Sequence, residues 1–280
     1  MGRGIAQVAA LAGLRTVLTD LSAEALAKAS ASIASSLEKG VEKGKTPREA
    51  AEAARSLLST STDLAAAAAA ADLVVEAVFE DLALKEDLFR RLDAAAPPAA
   101  ILASNTSSLP LTRIAAATRR PGKVIGMHFF NPVPVMPLLE LVRTAETSGE
   151  TLAAALAVGK RLGKETIVVR DSPGFATSRL GLAIGLEAMR MYEEGVASAR
   201  DIDRAMELGY RHPMGPLRLT DLVGLDVRLA IADHLAKELG TDRFAPPGIL
   251  RRLVAKGKLG RKSGEGFYRW EGEQALEKQP

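Results

Sequence analysis

His128 and Glu140 bracket the stretch Gly126-Met127-His128-Phe129-Phe130-Asn131-Pro132-Val133-Pro134-Val135-Met136-Pro137-Leu138-Leu139-Glu140, in which two apolar strands flank a proline-rich turn. If the strands fold back as a hairpin centred on Pro134, residues equidistant from it meet, and these two are each six residues away. A carboxylate touching an imidazole fixes the ring's tautomer, stabilises its protonated form, and so makes a general base that works near neutral pH. The same pattern also suits a histidine at a strand end, satisfied by any nearby polar group. A second polar run, Ser104-Asn105-Thr106-Ser107-Ser108, follows an apolar strand. It can turn the chain and cap the helix after Pro110, or it can face a ligand.

The elements that must hold these residues alternate. The pattern predicts two helices over 22–58, broken at Gly44-Lys45-Thr46-Pro47, and a helix in the alanine run 65–71. Strands follow at 72–78, 101–103, 123–127 and 166–169, with helices at 84–95 and 149–163 between them. Alternation of this kind gives a parallel sheet with helices on both faces, and ligands bind beyond the carboxyl ends of its strands. From Asp171-Ser172-Pro173-Gly174 the strand pattern stops, and helices are expected at 180–194, 198–208, 217–239 and 249–256. The expected fold is therefore α/β, a doubly wound Rossmann-type sheet over 1–170, with a second, mostly helical domain over 171–280.

Residues 2–13 read as a short small-residue helix, and 15–20 as a strand ending in Asp20. That is the second half of a dinucleotide-binding βαβ unit: Gly2 serves as its third glycine, while the first strand and first two glycines are missing from the pattern. Asp20 falls where an acid would accept hydrogen bonds from a ribose and repel a 2′-phosphate, which favours NAD; it also suits a simple strand end before a helix capped by Ser22.

With 47% apolar and 25% charged residues, no cysteine and a net charge of +3, the chain is expected to be soluble and free of disulfides and thiolate metal sites. Scattered Lys and Arg argue against nucleic acid, and no run approaches the ~20 apolar residues of a membrane span. The first residues lack the layout of a secretory signal, so a cytoplasmic address is expected. His212 and His234 lack a metal-ligand constellation around them, and no metal is expected.

Taken in order, Ser104-Asn105-Thr106-Ser107-Ser108, His128-Phe129-Phe130-Asn131-Pro132 with Glu140, Asp171-Ser172-Pro173-Gly174-Phe175, His212-Pro213-Met214-Gly215-Pro216 and Gly264-Glu265-Gly266-Phe267-Tyr268 resemble the L-3-hydroxyacyl-CoA dehydrogenases, including the bacterial 3-hydroxybutyryl-CoA dehydrogenases. The resemblance spans residues 2 to about 270. It implies NAD-linked interconversion of a 3-hydroxyacyl-CoA and the 3-ketoacyl-CoA, with His128 as base and Glu140 orienting it. It further implies that Ser107 bonds the substrate oxygen, that Asn131 helps hold the substrate and the catalytic pair, that Asp20 lies on the ribose, Glu80 and Lys85 near the cofactor and Asn105 beside the nicotinamide, and that the helical domain forms a homodimer. Ser178 stands where some members have Asn near the active site, a change expected to tune rather than abolish activity. The pattern begins after the first strand and Gly-x-Gly of relatives, which suggests a misplaced start, unpaired strand edges beside an apolar slot, and weak NAD binding. Two other readings stay open: an impaired homologue acting as a dimerising or binding subunit, and a dehydrogenase of a related sugar acid.

Overall fold

Side-chain caps decide where several of the helices begin. In the computed structural model, which describes residues 1–278, the chain forms two units, Met1–Ser172 and a second starting at Pro173. The first runs α1 (Gly2–Leu11), β1 (Thr16–Thr19), α2 (Ala23–Glu42), α3 (Arg48–Leu57), β2 (Leu58–Ser61), α4 (Leu64–Ala68), β3 (Leu73–Glu76), α5 (Leu82–Ala95), β4 (Ile101–Ser104), α6 (Leu111–Ala116), β5 (Val124–Phe129), β6 (Leu138–Arg143), α7 (Gly149–Arg161) and β7 (Glu165–Arg170). Ser22, Asp63, Asp81 and Ser148 cap α2, α4, α5 and α7, each accepting from an amide three residues on. Such caps contribute about 1 kcal/mol each and fix the helix start.

Five strands form one sheet in the order β3-β4-β5-β6-β7, while β1 and β2 pair separately. Within this unit all pairings are parallel except β5 with β6. That antiparallel step places the end of β5 beside the start of β6. The two strands come close because Gly126 lies opposite Val142: a methyl group on Gly126 would stand 2.7 Å from the Val142 Cβ. Every residue of β5 is buried.

The small residues of α1 are explained by its two packed faces. Ile5 and Val8 join the sheet core with Ile125, Met127 and Phe129, and Ala6 and Ala10 pack with Ile33, Leu37, Ala51 and Ala54 of α2 and α3. Its N-terminus lies between two strands that do not pair, since Gly2 faces Leu18 of β1 and Ala77 just after β3. Val17 on β1 is 43% exposed and Leu73, Val74 and Val75 on β3 are half-buried, which gives both strands edges with exposed apolar surface.

The second unit contains α8 (Thr177–Glu193), α9 (Ala199–Arg204), α10 (Pro216–Val223), α11 (Leu225–Leu239), α12 (Gly248–Ala255) and a hairpin of β8 (Arg269–Glu271) and β9 (Gln274–Leu276). Its core joins Leu182, Leu186 and Met189 of α8 to Leu217, Leu225, Leu235 and Leu250, closed by Phe244, Phe267, Tyr268 and Trp270. Two buried aspartates tie the C-terminal segment in place. Asp221 accepts from the amides of Phe267 and Tyr268 and from the Trp270 indole, at 2.9, 2.9 and 2.8 Å. Asp203 accepts from the amides of Leu217 and Arg218 and from the Tyr268 hydroxyl. Burial pushes both carboxyls above the ordinary aspartate value despite these donors.

The structure departs from the sequence pattern at three places. Residues 217–239 are two helices, because Gly224 takes φ 105° and ends α10, a conformation open chiefly to glycine. β2 is a strand of four residues, Leu-Ser-Thr-Ser, too short and polar to show alternation. The hairpin of β8 and β9 also had no signal of its own, being two strands of three residues.

Candidate active site

Antiparallel pairing of β5 with β6 makes His128 and Glu140 direct cross-strand partners. The imidazole Nδ1 lies 2.9 Å from Glu140 Oε2, with the two residues 6% and 0% exposed. A carboxylate can only accept, so Nδ1 donates the hydrogen of this contact. The Phe130 ring lies 4.4 Å from the imidazole, tilted by 48°. Burial of the pair strengthens the contact, because little water competes for the carboxylate.

Asn105 ties this strand to its neighbour. Its side-chain carbonyl accepts the Phe129 amide at 2.9 Å, and its backbone amide donates to the Glu76 carbonyl. The polar run after β4 is shaped by an acid from another turn, Glu80. One oxygen, Oε1, receives the Thr106 hydroxyl at 2.6 Å, the Ser107 amide at 2.8 Å and the Ser108 amide at 3.2 Å, with the Ser107 hydroxyl at 3.3 Å. Burial pushes the Glu80 carboxyl up, but the Thr106 hydroxyl, the Lys85 ammonium and the two amides outweigh it and hold its pKa below the usual carboxylate range.

Lys85 is 1% exposed, and its ammonium sits 2.5 Å from Glu76 Oε1 and 3.4 Å from Glu80 Oε2. The other oxygen of Glu76 accepts the Ser104 hydroxyl at 2.6 Å, and Ser104 in turn accepts the Thr106 amide. Lys85 thus joins Glu76 at the end of β3 and Glu80 in the turn after it, acids that also bond the turn following β4. Ser104 and Thr106 belong to the polar run singled out in the sequence, whereas Glu76 does not stand out there. The one available signal was an acid closing an otherwise apolar strand, Leu-Val-Val-Glu.

The remaining residues are placed as follows. Asn131 lies exposed in the loop between β5 and β6, and Asp20 is exposed after β1 with its carboxylate accepting the Ser22 amide at 2.9 Å. Ser178 lies in the first turn of α8, in the second unit. No cluster of three or more His, Asp or Glu residues suited to a metal occurs among the described residues, and no helix there is long and apolar enough to cross a membrane.

A dinucleotide fits the residues at α1. The first turn of that helix has no acidic side chain, and the helix starts beside Leu18 of β1 and Ala77 just after β3, with Gly2 facing both. Helix N-termini in this position bind pyrophosphate.

A doubly wound α/β unit with such a helix, followed by a helical unit, defines a two-domain NAD-dependent oxidoreductase. Residues 1–172 match the NAD binding domain of 3-hydroxyacyl-CoA dehydrogenase and residues 174–270 match its C-terminal domain. The chain belongs to the 3-hydroxyacyl-CoA dehydrogenase family. It is 45% identical over 271 residues to a probable 3-hydroxybutyryl-CoA dehydrogenase of Bacillus subtilis, covering 97% of this chain and 94% of the relative. A 3-hydroxybutyryl-CoA dehydrogenase of Mycobacterium tuberculosis is 45% identical, with 96% and 94% covered. The crystal structure of (S)-3-hydroxybutyryl-CoA dehydrogenase from Ralstonia eutropha superposes with a TM-score of 0.93 at 42% identity, over 97% of this chain and 95% of that one.

Proposed function

We propose that the protein interconverts a short-chain 3-hydroxyacyl-CoA and the 3-ketoacyl-CoA, with His128 and Glu140 as its acid–base pair. The observation that carries this reading is the buried 2.9 Å contact of His128 Nδ1 with Glu140. In the oxidative direction the substrate hydroxyl gives its proton to His128 Nε2 as the C3–H bond breaks, and the oxygen becomes the ketone. Glu140 holds the ring in the accepting tautomer and stabilises the imidazolium that results. Bound NAD supplies the hydride acceptor at C3. Gly2, Asp20 and Asn105 hold that cofactor in this reading, Glu80 and Lys85 support its side of the site, and Ser107 donates to the substrate oxygen. Asn131 and Ser178 bind substrate. Positioned donors of this kind contribute a few kcal/mol each where charge develops on oxygen.

The same reading divides the chain into a cofactor domain over 1–170 and a substrate and dimerisation domain over 171–280, in a cytoplasmic enzyme of fatty acid metabolism. An apolar face supports the homodimer. Leu180 and Ile184 on α8, Leu219 and Val223 on α10 and Val227 on α11 are 39–64% exposed, and both i, i+4 pairs mark one helix face. Arg228, next along α11, is 6% exposed and its Nε has no acceptor among the described residues; burial pushes its guanidinium down to about 10. An acceptor from a second copy would complete it.

The test is oxidation of NADH with acetoacetyl-CoA by the wild-type chain and by His128→Gln. Turnover that the substitution abolishes while NADH binding persists supports the assignment. Unimpaired turnover in His128→Gln refutes it.

A further inference from the structure

The loop joining β5 to β6 carries Asn131, and it is held from two sides. On one side Val133, 2% exposed, packs with Ile5 and Val8 of α1. A methyl group on Gly4 would stand 2.9 Å from the Val133 Cβ, so helix and loop meet at bare backbone. On the other side Lys164, immediately before β7, reaches back across the loop. Its ammonium donates to the Val133 carbonyl at 2.6 Å and to the Met136 carbonyl at 2.7 Å. The next amide, of Glu165, donates to the Pro137 carbonyl at 2.9 Å.

These contacts are unusual for a lysine. Its side chain is half-buried, and desolvation lowers its pKa. The two acceptors are main-chain carbonyls of a turn whose own bonds, from the Val135 and Met136 amides to the Pro132 carbonyl, leave those oxygens available. A charged donor makes shorter and stronger bonds than a neutral one, and a lysine outside such a site keeps its head in water.

We propose that Lys164 is a positioning residue that clamps the loop against α1 and so sets where Asn131 stands beside the His128 strand. The proposal rests on the reading of Asn131 as a substrate-holding residue. It assigns the β7 side of the sheet a part in thioester binding, and it links the loop to the helix that receives the cofactor.

The test uses the full chain with Lys164→Met, Lys164→Arg, Asn131→Ala and the double variant Asn131→Ala/Lys164→Met. Amide hydrogen exchange follows Val133, Val135 and Met136, and steady-state kinetics use acetoacetyl-CoA and NADH. Lys164→Met is expected to speed exchange at Val135 and Met136 about tenfold or more, with exchange in β5 and β6 unchanged. The KM for the thioester should rise about tenfold with kcat changed less, as expected for lost substrate holding. Arginine keeps the donors and should restore both to within about threefold. In the Asn131→Ala background, loss of Lys164 should add nothing further to KM, because residues acting through one another are not additive. Wild-type exchange in Lys164→Met, or full additivity with Asn131→Ala, overturns the role of Lys164. Asn131→Ala with wild-type kinetics instead overturns the reading of Asn131 itself.

Discussion

His128 and Glu140 share one rung of the β5–β6 ladder, and on that rung the imidazole lies 2.9 Å from the carboxylate. Glu140→Gln keeps the size and replaces a charged acceptor with an amide that can present a donor to Nδ1. Turnover is expected to fall about a hundredfold or more, within the range that positioned acid–base groups supply. NADH titration should show unchanged affinity, and kcat within about threefold of wild type would exclude this role for Glu140.

Lys85 neutralises Glu76 inside the fold. Its replacement by Met leaves a buried carboxylate without its cation, which typically costs about 3–5 kcal/mol. Urea denaturation should show that loss, and Glu76→Leu added to Lys85→Met should recover much of it, since an apolar pair of similar volume replaces buried ions well. A double variant no more stable than Lys85→Met would mean that the lysine stabilises by packing rather than by charge.

Parts of this arrangement were legible in the sequence for simple reasons. The hairpin around Pro134 is symmetric, so its register and the pairing of His128 with Glu140 follow from counting. The alternation of strands and helices up to Arg170 likewise locates β3 to β7, though not the separate pairing of β1 with β2. The Glu76–Lys85–Glu80 chain could not be read in this way. Its members come from the end of β3, the turn after it and the start of α5, and only folding reveals that a lysine on a helix points inward. Gly224 was visible as a residue, but its φ of 105° was not.

Acid should act differently on the two units. Glu80 and Asp93 in the first have lowered pKa values, so their share of stability is present above the ordinary carboxylate range and lost as pH falls through the lowered values. Asp203 and Asp221 in the second have raised values; their share is present below the ordinary aspartate value and lost as pH rises through the raised ones. Asp226 and Glu265 in the second unit have lowered values as well, so the raised pair offsets part of the acid loss there. Trp270, the sole tryptophan, reports the second unit and bonds Asp221 directly. Between about pH 6 and pH 4 the urea midpoint read by Trp270 fluorescence should fall less than the protection of amides in α5. Equal losses in both signals would contradict these assignments.

The exposed apolar face of α8, α10 and α11 predicts self-association. Ile184→Asp places a charge on that face and should convert a dimer to monomer by light scattering, with the far-ultraviolet circular dichroism preserved. A wild-type chain that is monomeric at micromolar concentration would remove the face from consideration as a dimer contact.

The antiparallel step between β5 and β6 also makes loop length a determinant of chemistry. Neighbouring residues on a strand point to opposite faces, so one residue added between Phe130 and Pro137 can be absorbed by sliding β6 one position. The sheet would still pair, yet Leu139 would then stand across from His128 while Glu140 turned away. An insertion at this point can therefore separate folding from turnover, whereas the same insertion in the turn after α7 would leave the pair's register intact.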